Sequence, residues 1–295
     1  MRSKLVPLPE AVAVIRSGSS LALGGSLLRR QPMAVVRELL RQGTTDLTLL
    51  TWATSVATDQ LVAAGRVRAW EGIYVGMWWR GLAPAFRRAV QDGAVQVTDR
   101  SESYMTARFR AAAMGLPFLP VRPIRGTVTG EQPDVADVQC PHTGDRLHAV
   151  AAARPDVTVL HGYEADEHGN VAWPVHRDSD DLDLIMSAGA RHLVVTVERV
   201  VPHAQVAARP NLTYIPHTKV DAVCEVPYGA WPSSCDTEYD EDAAELDRWT
   251  RACRTPAGAE AYLEETATGV AGHDALLERV GRERLDRLAV REGAA

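Results

Sequence analysis

The sequence predicts an α/β fold: an open parallel or mixed sheet with flanking helices and a helical C-terminal tail. Three observations predict it. Short apolar runs alternate with segments of helical spacing along most of the 295 residues, as in a sheet wrapped by crossover helices. Two of the runs end in unusual polar loops, Asp156 to Val171 and Lys219 to Cys235. The first is acidic and closed by Gly169-Asn170; the second is stiffened by Gly, Pro and Ser. From Asp240 the composition changes to Asp, Glu, Ala and Arg with apolar residues at helical spacing. That stretch predicts two or three helices wrapped on the body, the last from about His273.

Each element has a local reason. Leu21 to Leu23 is a strand entering Gly24-Gly25, and Pro32 to Leu40 is a helix with proline in its first turn. Asp46 to Thr51 is a compact strand and Val67 to Val75 an extended stretch. Leu82 to Val90 is helical, and Ala94 to Thr98 is a strand. Ser101 is an N-cap for a helix to Met114, and the prolines of Leu116 to Pro120 force an extended piece. Gly126 to Asp145 is polar, punctuated by Gly and Pro, and reads as a loop covering a site or a partner surface. Val157 to Leu160, Leu193 to Val197, Leu212 to Ile215 and Val220 to Val226 are strands of the same sheet, with a crossover helix at Asp180 to Ala188.

Composition narrows the function. A formal net charge of −6 argues against general affinity for nucleic acid or an anionic membrane. Cys140, Cys224, Cys235 and Cys253 lie far apart, and no Cys-x-x-Cys or Cys/His spacing signals a zinc site or a disulfide scaffold. The N-terminus is broken by prolines before any apolar stretch develops, and no run reaches the roughly 20 apolar residues of a membrane span. A cytoplasmic protein is expected.

Several residues carry possible chemistry. Gly24-Gly25-Ser26 directly follows a strand, and adjacent glycines let backbone N–H groups converge on an oxyanion or carbonyl; the plainer reading is a tight turn. Arg29 and Arg30, just beyond, suit phosphate or carboxylate, although paired surface arginines are common. Glu102 sits in the first turn of a helix, where the dipole favours a carboxylate with or without a catalytic role. Arg122 follows the stiff Leu116 to Pro120 stretch and suits either a substrate anion or a structural ion pair. Glu198 ends a strand and either points into a site or pairs with Arg199. His161, Asp166 and His168 serve as acid, base or ligand, or only pin a turn. Glu71, in a Glu-Gly turn, reads better as a strand edge than as a nucleophile. The sequence contains no Gly-x-Ser-x-Gly elbow and no activated cysteine context.

Taken together these blocks resemble the alpha (A) subunit of the class I coenzyme A transferases, especially the glutaconate type. The matching stretches are Leu23-Gly-Gly-Ser26, Arg30 to Leu39, Leu116 to Pro120, Ala165 to Val171, Val197 to Pro202 and Val220 to Cys235, in family order over roughly residues 8 to 265. The resemblance implies a coenzyme A transferase-like α/β domain at residues 1–265 and a helical tail at 266–295. It implies an alpha2beta2-type hetero-oligomer whose beta subunit supplies the catalytic glutamate, which matches the missing nucleophile here. It also implies a coenzyme A thioester as substrate, no metal and no permanently bound cofactor, and a pocket lined at Gly24, Gly25 and Ser26. Where relatives read Gly-Ala-His-Pro, this chain has Gly229-Ala-Trp-Pro232, a change expected to bear on substrate choice.

An offshoot of the family, the alpha subunit of a steroid ring-opening hydrolase, is also similar. Its functional glutamate and arginine match Glu102 and Arg122, which would then activate water or polarise a ring ketone and hold the substrate anion. Two function classes besides transfer therefore stand: ring-opening hydrolysis of a cyclic acyl-CoA, and CoA-ester binding without turnover.

Overall fold

The computed structural model describes residues 2–124, 126–175 and 181–290. In chain order the first half holds α1 (Leu8–Val12), β1 (Ser20–Leu23), α2 (Met33–Arg41), β2 (Leu47–Thr51), β3 (Ala53–Thr54) and α3 (Val56–Ala63). Then follow β4 (Val67–Gly72), β5 (Tyr74–Val75), α4 (Pro84–Gln91), β6 (Gln96–Asp99), α5 (Glu102–Ala113) and β7 (Phe118–Val121). The middle supplies β8 (Val135–Gln139), β9 (Arg146–Ala151), β10 (Val157–Ala165), β11 (Val171–Ala172) and α6 (Asp181–Gly189). Next come β12 (Leu193–Val200), α7 (His203–Ala207), β13 (Thr213–Ile215) and β14 (Ala222–Glu225). The C-terminal stretch is α8 (Ala243–Ala252), α9 (Pro256–Leu263), α10 (His273–Val280) and α11 (Arg282–Leu288).

Seven strands pair in parallel across the main sheet in the order β14-β12-β10-β1-β2-β4-β6. The short β11 and β13 extend it antiparallel beyond the end of β10. Chain order runs outward in both directions from the β1/β10 pair, so the topology switches there. In an open α/β sheet the crevice outside the carboxyl ends at such a point is where ligands bind. Gly24-Gly25 leaves β1 at that position.

The sheet is covered on both faces, which is why its strands read as continuous apolar runs. On one face α2, α3, α8 and α9 bury residues such as Val35, Leu39, Leu61, Leu246, Trp249 and Leu263 against Leu21, Leu23 and Leu49. On the other, Met105 and Phe109 of α5 and Met186 of α6 pack on Ala22 and Leu50, with Trp52 and Ile73 half-buried beside them. The expected start of the crossover helix, Asp180, lies outside the described residues.

Two expectations are corrected. Gly126 to Asp145 is not all loop: it contains β8, which pairs with β9, and β9 with β7, as a separate antiparallel sheet of three strands. Its polar, half-exposed residues hide the strand, because neither face is fully buried. The C-terminal stretch has four helices and a π-helical turn at Glu264–Thr268 rather than two or three helices. A helix does begin at His273, but Gly281, at φ +88°, breaks it into α10 and α11. Trp231 is buried beneath these helices with Val270, Leu276 and Leu285, its Nε1 donating to Asp242 at 3.0 Å. The indole of Trp231 is thus part of the core beneath the C-terminal helices.

Candidate functional site

One of the two polar loops singled out in the sequence, Lys219 to Cys235, meets the turn after β1 at the switch point. Arg30 N donates to Ser234 O at 2.7 Å, Ser234 N to Leu28 O at 2.9 Å and Ala34 N to Gly229 O at 2.9 Å. These bonds lash the Lys219 to Cys235 loop to the turn after β1. Gly25 holds φ +77°, and a Cβ there would lie 2.5 Å from Arg30 O. A Cβ on Gly24 would meet Asp183 Oδ1 at 2.8 Å. Both glycines are therefore required by close approach.

The turn's backbone donors are already engaged. Gly24 N donates to Val159 O at 2.9 Å and Ser26 N to Arg29 O at 3.0 Å. Gly25 N donates to the Asp183 carboxylate at 3.0 Å. Asp183, carried in by α6, also pairs with Arg30, and both are almost fully buried. Arg30 lies over the rings of Trp173 and Tyr163, 5.6 and 6.0 Å from their centroids. Asp183 was not singled out from the sequence; its only signal is that it is one of two acids in the opening turn of a mostly apolar helix.

A second buried network adjoins the first. His161 Nε2 meets Glu198 Oε1 at 2.7 Å and its Nδ1 meets the Thr196 hydroxyl at 2.8 Å. Glu198 also accepts from Tyr239 Oη at 2.8 Å, Tyr228 N at 2.6 Å and Gly229 N at 3.3 Å. The carboxylate is saturated by four donors. Cys235 lies close enough for His161, Glu198 and Cys235 to form a three-ligand set, yet hydrogen bonds already hold the glutamate. Burial pushes the Cys235 thiol well up, and does the same to Cys224, to about 12. His161 and Glu198 were each candidates from sequence; the structure brings them together as neighbours on β10 and β12.

Asp166 and His168 pin their turn. Asp166 accepts from His168 N, Asn170 N, Asn170 Nδ2 and His203 Nδ1 at 2.7–3.0 Å. Burial raises its pKa, but these donors, led by His203, outweigh it and hold the carboxyl below the usual range. Glu71 is tied to Arg100 at 3.0 Å and Arg108 at 2.6 Å, and Asp134 completes that four-charge cluster. Arg199 pairs with Glu238 and Glu164, so Glu198 and Arg199 do not pair with each other.

Glu102 and Arg122 are exposed, and neither side chain makes an ion pair or hydrogen bond among the described residues. Ser101 Oγ caps α5 by accepting from Tyr104 N at 3.3 Å, which sets Glu102 as the first helical residue just beyond the carboxyl end of β6. Tyr104 Oη accepts from Ile124 N at 3.1 Å and bonds His148 Nδ1 at 2.6 Å. That contact ties the start of α5 to the chain leaving β7, where Arg122 sits two residues before Ile124. Glu102 shares an edge of the sheet with Gly24-Gly25, but β2 and β4 intervene, a span of about 14 Å at ordinary strand spacing. Trp52 and Ile73, at the ends of β2 and β4, make that interval apolar.

Residues 7–226 match the family model for coenzyme A transferase. The chain belongs to the coenzyme A transferase family. Among its relatives, the alpha (A) subunit of glutaconate CoA-transferase from Acidaminococcus fermentans is 31% identical over 99% of this chain and 96% of its own length. The crystal structure of that transferase superposes with a TM-score of 0.93, covering 99% of this chain and 97% of the other at 30% identity. The cholesterol ring-cleaving hydrolase IpdA subunit of Mycobacterium tuberculosis is 30% identical over 96% of this chain and its full length. An uncharacterised Archaeoglobus fulgidus protein is 35% identical over 98% of this chain, which spans 65% of that relative. Among the described residues, no helix of this family member is long and apolar enough to cross a membrane.

Proposed function

We propose that the chain is the alpha subunit of an acyl-CoA:carboxylate CoA-transferase, working with a beta subunit in an alpha2beta2-type assembly in the cytoplasm. The observation that carries this reading is the near end-to-end likeness to the alpha subunit of a CoA-transferase in both sequence and fold. The internal carboxylates agree with it. Glu71, Asp183 and Glu198 are each spent on buried partners, which fits a nucleophilic glutamate supplied by the partner chain.

In this reading the beta glutamate attacks the acyl-CoA thioester, releasing CoA thiolate and leaving an acyl-glutamyl anhydride. The thiolate then attacks the glutamyl carbonyl, freeing the first carboxylate and forming a glutamyl-CoA thioester. The acceptor carboxylate takes CoA by the reverse sequence. The chain's own part is to wall and dry the crevice at the β1/β10 switch point. The Gly24-Gly25-Ser26 turn lines it by shape and by the Ser26 side chain, since its N–H groups already have partners. A coenzyme A thioester is the substrate, with no permanently bound cofactor.

A second reading, ring-opening hydrolysis of a cyclic acyl-CoA, is favoured by Glu102 and Arg122. They are exposed charges at the sheet's carboxyl edge with no internal partner among the described residues, and a ring-cleaving hydrolase is among the relatives. Borohydride added to the co-expressed complex during incubation with acyl-CoA separates the readings. Reduction of a beta-chain glutamyl thioester, seen as a mass change on that glutamate, supports transfer. An unmodified complex that consumes a cyclic acyl-CoA, and stops in Glu102→Ala, supports hydrolysis and overturns transfer.

A further inference from the structure

Beyond β5 the chain forms a small closed loop that the activity above leaves without a role. Met77 N donates to Gly81 O at 2.7 Å and Gly81 N to Trp78 O at 3.1 Å, while Gly76 and Leu82 bridge its base. At the tip Trp78 holds φ +57°, a left-handed conformation that is costly for a bulky side chain. Trp78 and Trp79 are nevertheless 54% and 67% exposed. A strained loop that shows two indoles to water lowers stability on both counts, and such features persist where a ligand uses them.

The loop stands between two clefts. One, of about 360 Å³, has Ser26, Arg29, Trp78, Trp79, Ser234 and the carboxylate Glu241 among its lining residues, and so opens from the turn after β1. The other, of about 430 Å³, is lined by Arg80, Arg87, Arg88 and Arg254 with no carboxylate among its lining residues. In a chain of net charge −6 that is a local concentration of positive charge. Its arginines differ in what they have left to give. Arg80 spends Nε on Asp247 at 2.6 Å and Nη2 on Glu241 at 3.1 Å, but its Nη1 has no hydrogen-bond partner although the side chain is only 8% exposed. Arg88 Nη1 lies 3.0 Å from Cys253 O, at the end of α8. Arg87 and Arg254 are exposed and make no ion pair among the described residues.

The geometry points to a binding site for the 3′-phosphorylated nucleotide end of a CoA ester, laid across this loop. The phosphates meet Arg87 and Arg254, with the Arg80 guanidinium lining the same cleft and adding to its positive charge. The adenine stacks on the open face of Trp79, whose other face carries the Arg80 guanidinium 4.5 Å from the ring centroid. The uncharged pantetheine arm then runs through the Ser26–Ser234 cleft toward Gly24-Gly25. The proposal rests on the CoA-ester reading and gives the nucleotide end its place on this chain.

The test is the Arg87→Glu/Arg254→Glu variant in the assembled enzyme, with Arg68→Glu, on the second residue of β4, as a control for charge alone. Two thioesters of one acyl group are compared: the CoA ester, and the N-acetylcysteamine ester, which lacks the nucleotide. The KM for the CoA ester should rise on the order of tenfold with kcat unchanged, while kinetics on the short thioester stay at the wild-type values. An unchanged KM, an equal change on both thioesters, or loss of co-elution with the partner overturns the site, the last making this loop an inter-chain contact. Adenosine 3′,5′-bisphosphate titrated against tryptophan fluorescence should bind the wild-type enzyme, weaken with salt, and not bind the double variant. That titration reads the site whether or not turnover occurs, so its failure is distinct from failure of the CoA-ester reading.

Discussion

The switch point and the start of α5 lie along one edge of the same sheet, yet their polar groups are in opposite states. At the switch point Asp183, Arg30, His161 and Glu198 are buried and paired, and the turn's N–H groups have acceptors. At the start of α5, Glu102 is exposed and unpaired among the described residues, as is Arg122 on the chain leaving β7. The first region looks more catalytic in the sequence because glycines, histidine and acids crowd together. In the structure this crowding is spent on internal pairing. A buried charge without a partner is too costly to keep, so reactive groups held in reserve are found where water can reach them.

The comparison can be broken most directly at Glu198. Glu198→Ala strips four donors of their acceptor and should lower unfolding free energy by about 3–5 kcal/mol, read from urea denaturation. A loss below about 1 kcal/mol would mean that water reaches the network and that the region is not closed.

Asp59 sharpens it by pH. It is fully buried, accepting from Phe86 N at 2.7 Å and Trp249 Nε1 at 2.9 Å, and burial pushes its pKa up to about 6. A raised folded-state pKa means that the folded protein binds the proton more tightly than the unfolded chain. Relative to Asp59→Asn, the wild type should therefore gain about 3 kcal/mol as pH falls through 6 toward 4. His273 acts in the opposite sense. Burial lowers its pKa to about 4, so its contribution is lost as pH falls below about 6.5, and it cancels in the difference between the two proteins. A flat difference would show an Asp59 already neutral or hydrated at pH 7.

At the open region the expectation reverses: activity moves and stability does not. In the hydrolytic reading Glu102→Gln should lower kcat on the order of a hundredfold with Tm unchanged. A fall in Tm with intact turnover would give the carboxylate a helix-stabilising role only. The smallest effect is at the cap. Ser101→Ala removes the acceptor for Tyr104 N and should cost about 1 kcal/mol by urea denaturation, with a smaller loss of activity than Glu102→Gln. Equal losses of activity would mean that placement of the helix start, rather than the carboxylate, carries the chemistry.

β1, β10 and β12 were legible because both their faces are buried, which keeps most of their residues apolar. β8 and β9 were not, since a half-exposed sheet carries polar residues on its pattern. Gly24, Gly25 and His161 stood out by residue type, but their partners Asp183 and Thr196 arrive from α6 and β12 by tertiary packing. No local pattern announces that. The two-sided order about β1 and β10 also has no trace in composition and appears only in the pairing.

The C-terminal helices are moored through indole N–H groups: Trp249 to Asp59 on α3, and Trp231 to Asp242 at the head of α8. Undocking those helices would pass both indoles from a buried carboxylate contact to water and shift their emission to the red. Trp78 and Trp79 already sit in water, where a soluble quencher reaches them first. Among its seven tryptophans the chain thus carries a protected pair that reports the seating of the helices and an accessible pair that reports the surface beside the clefts.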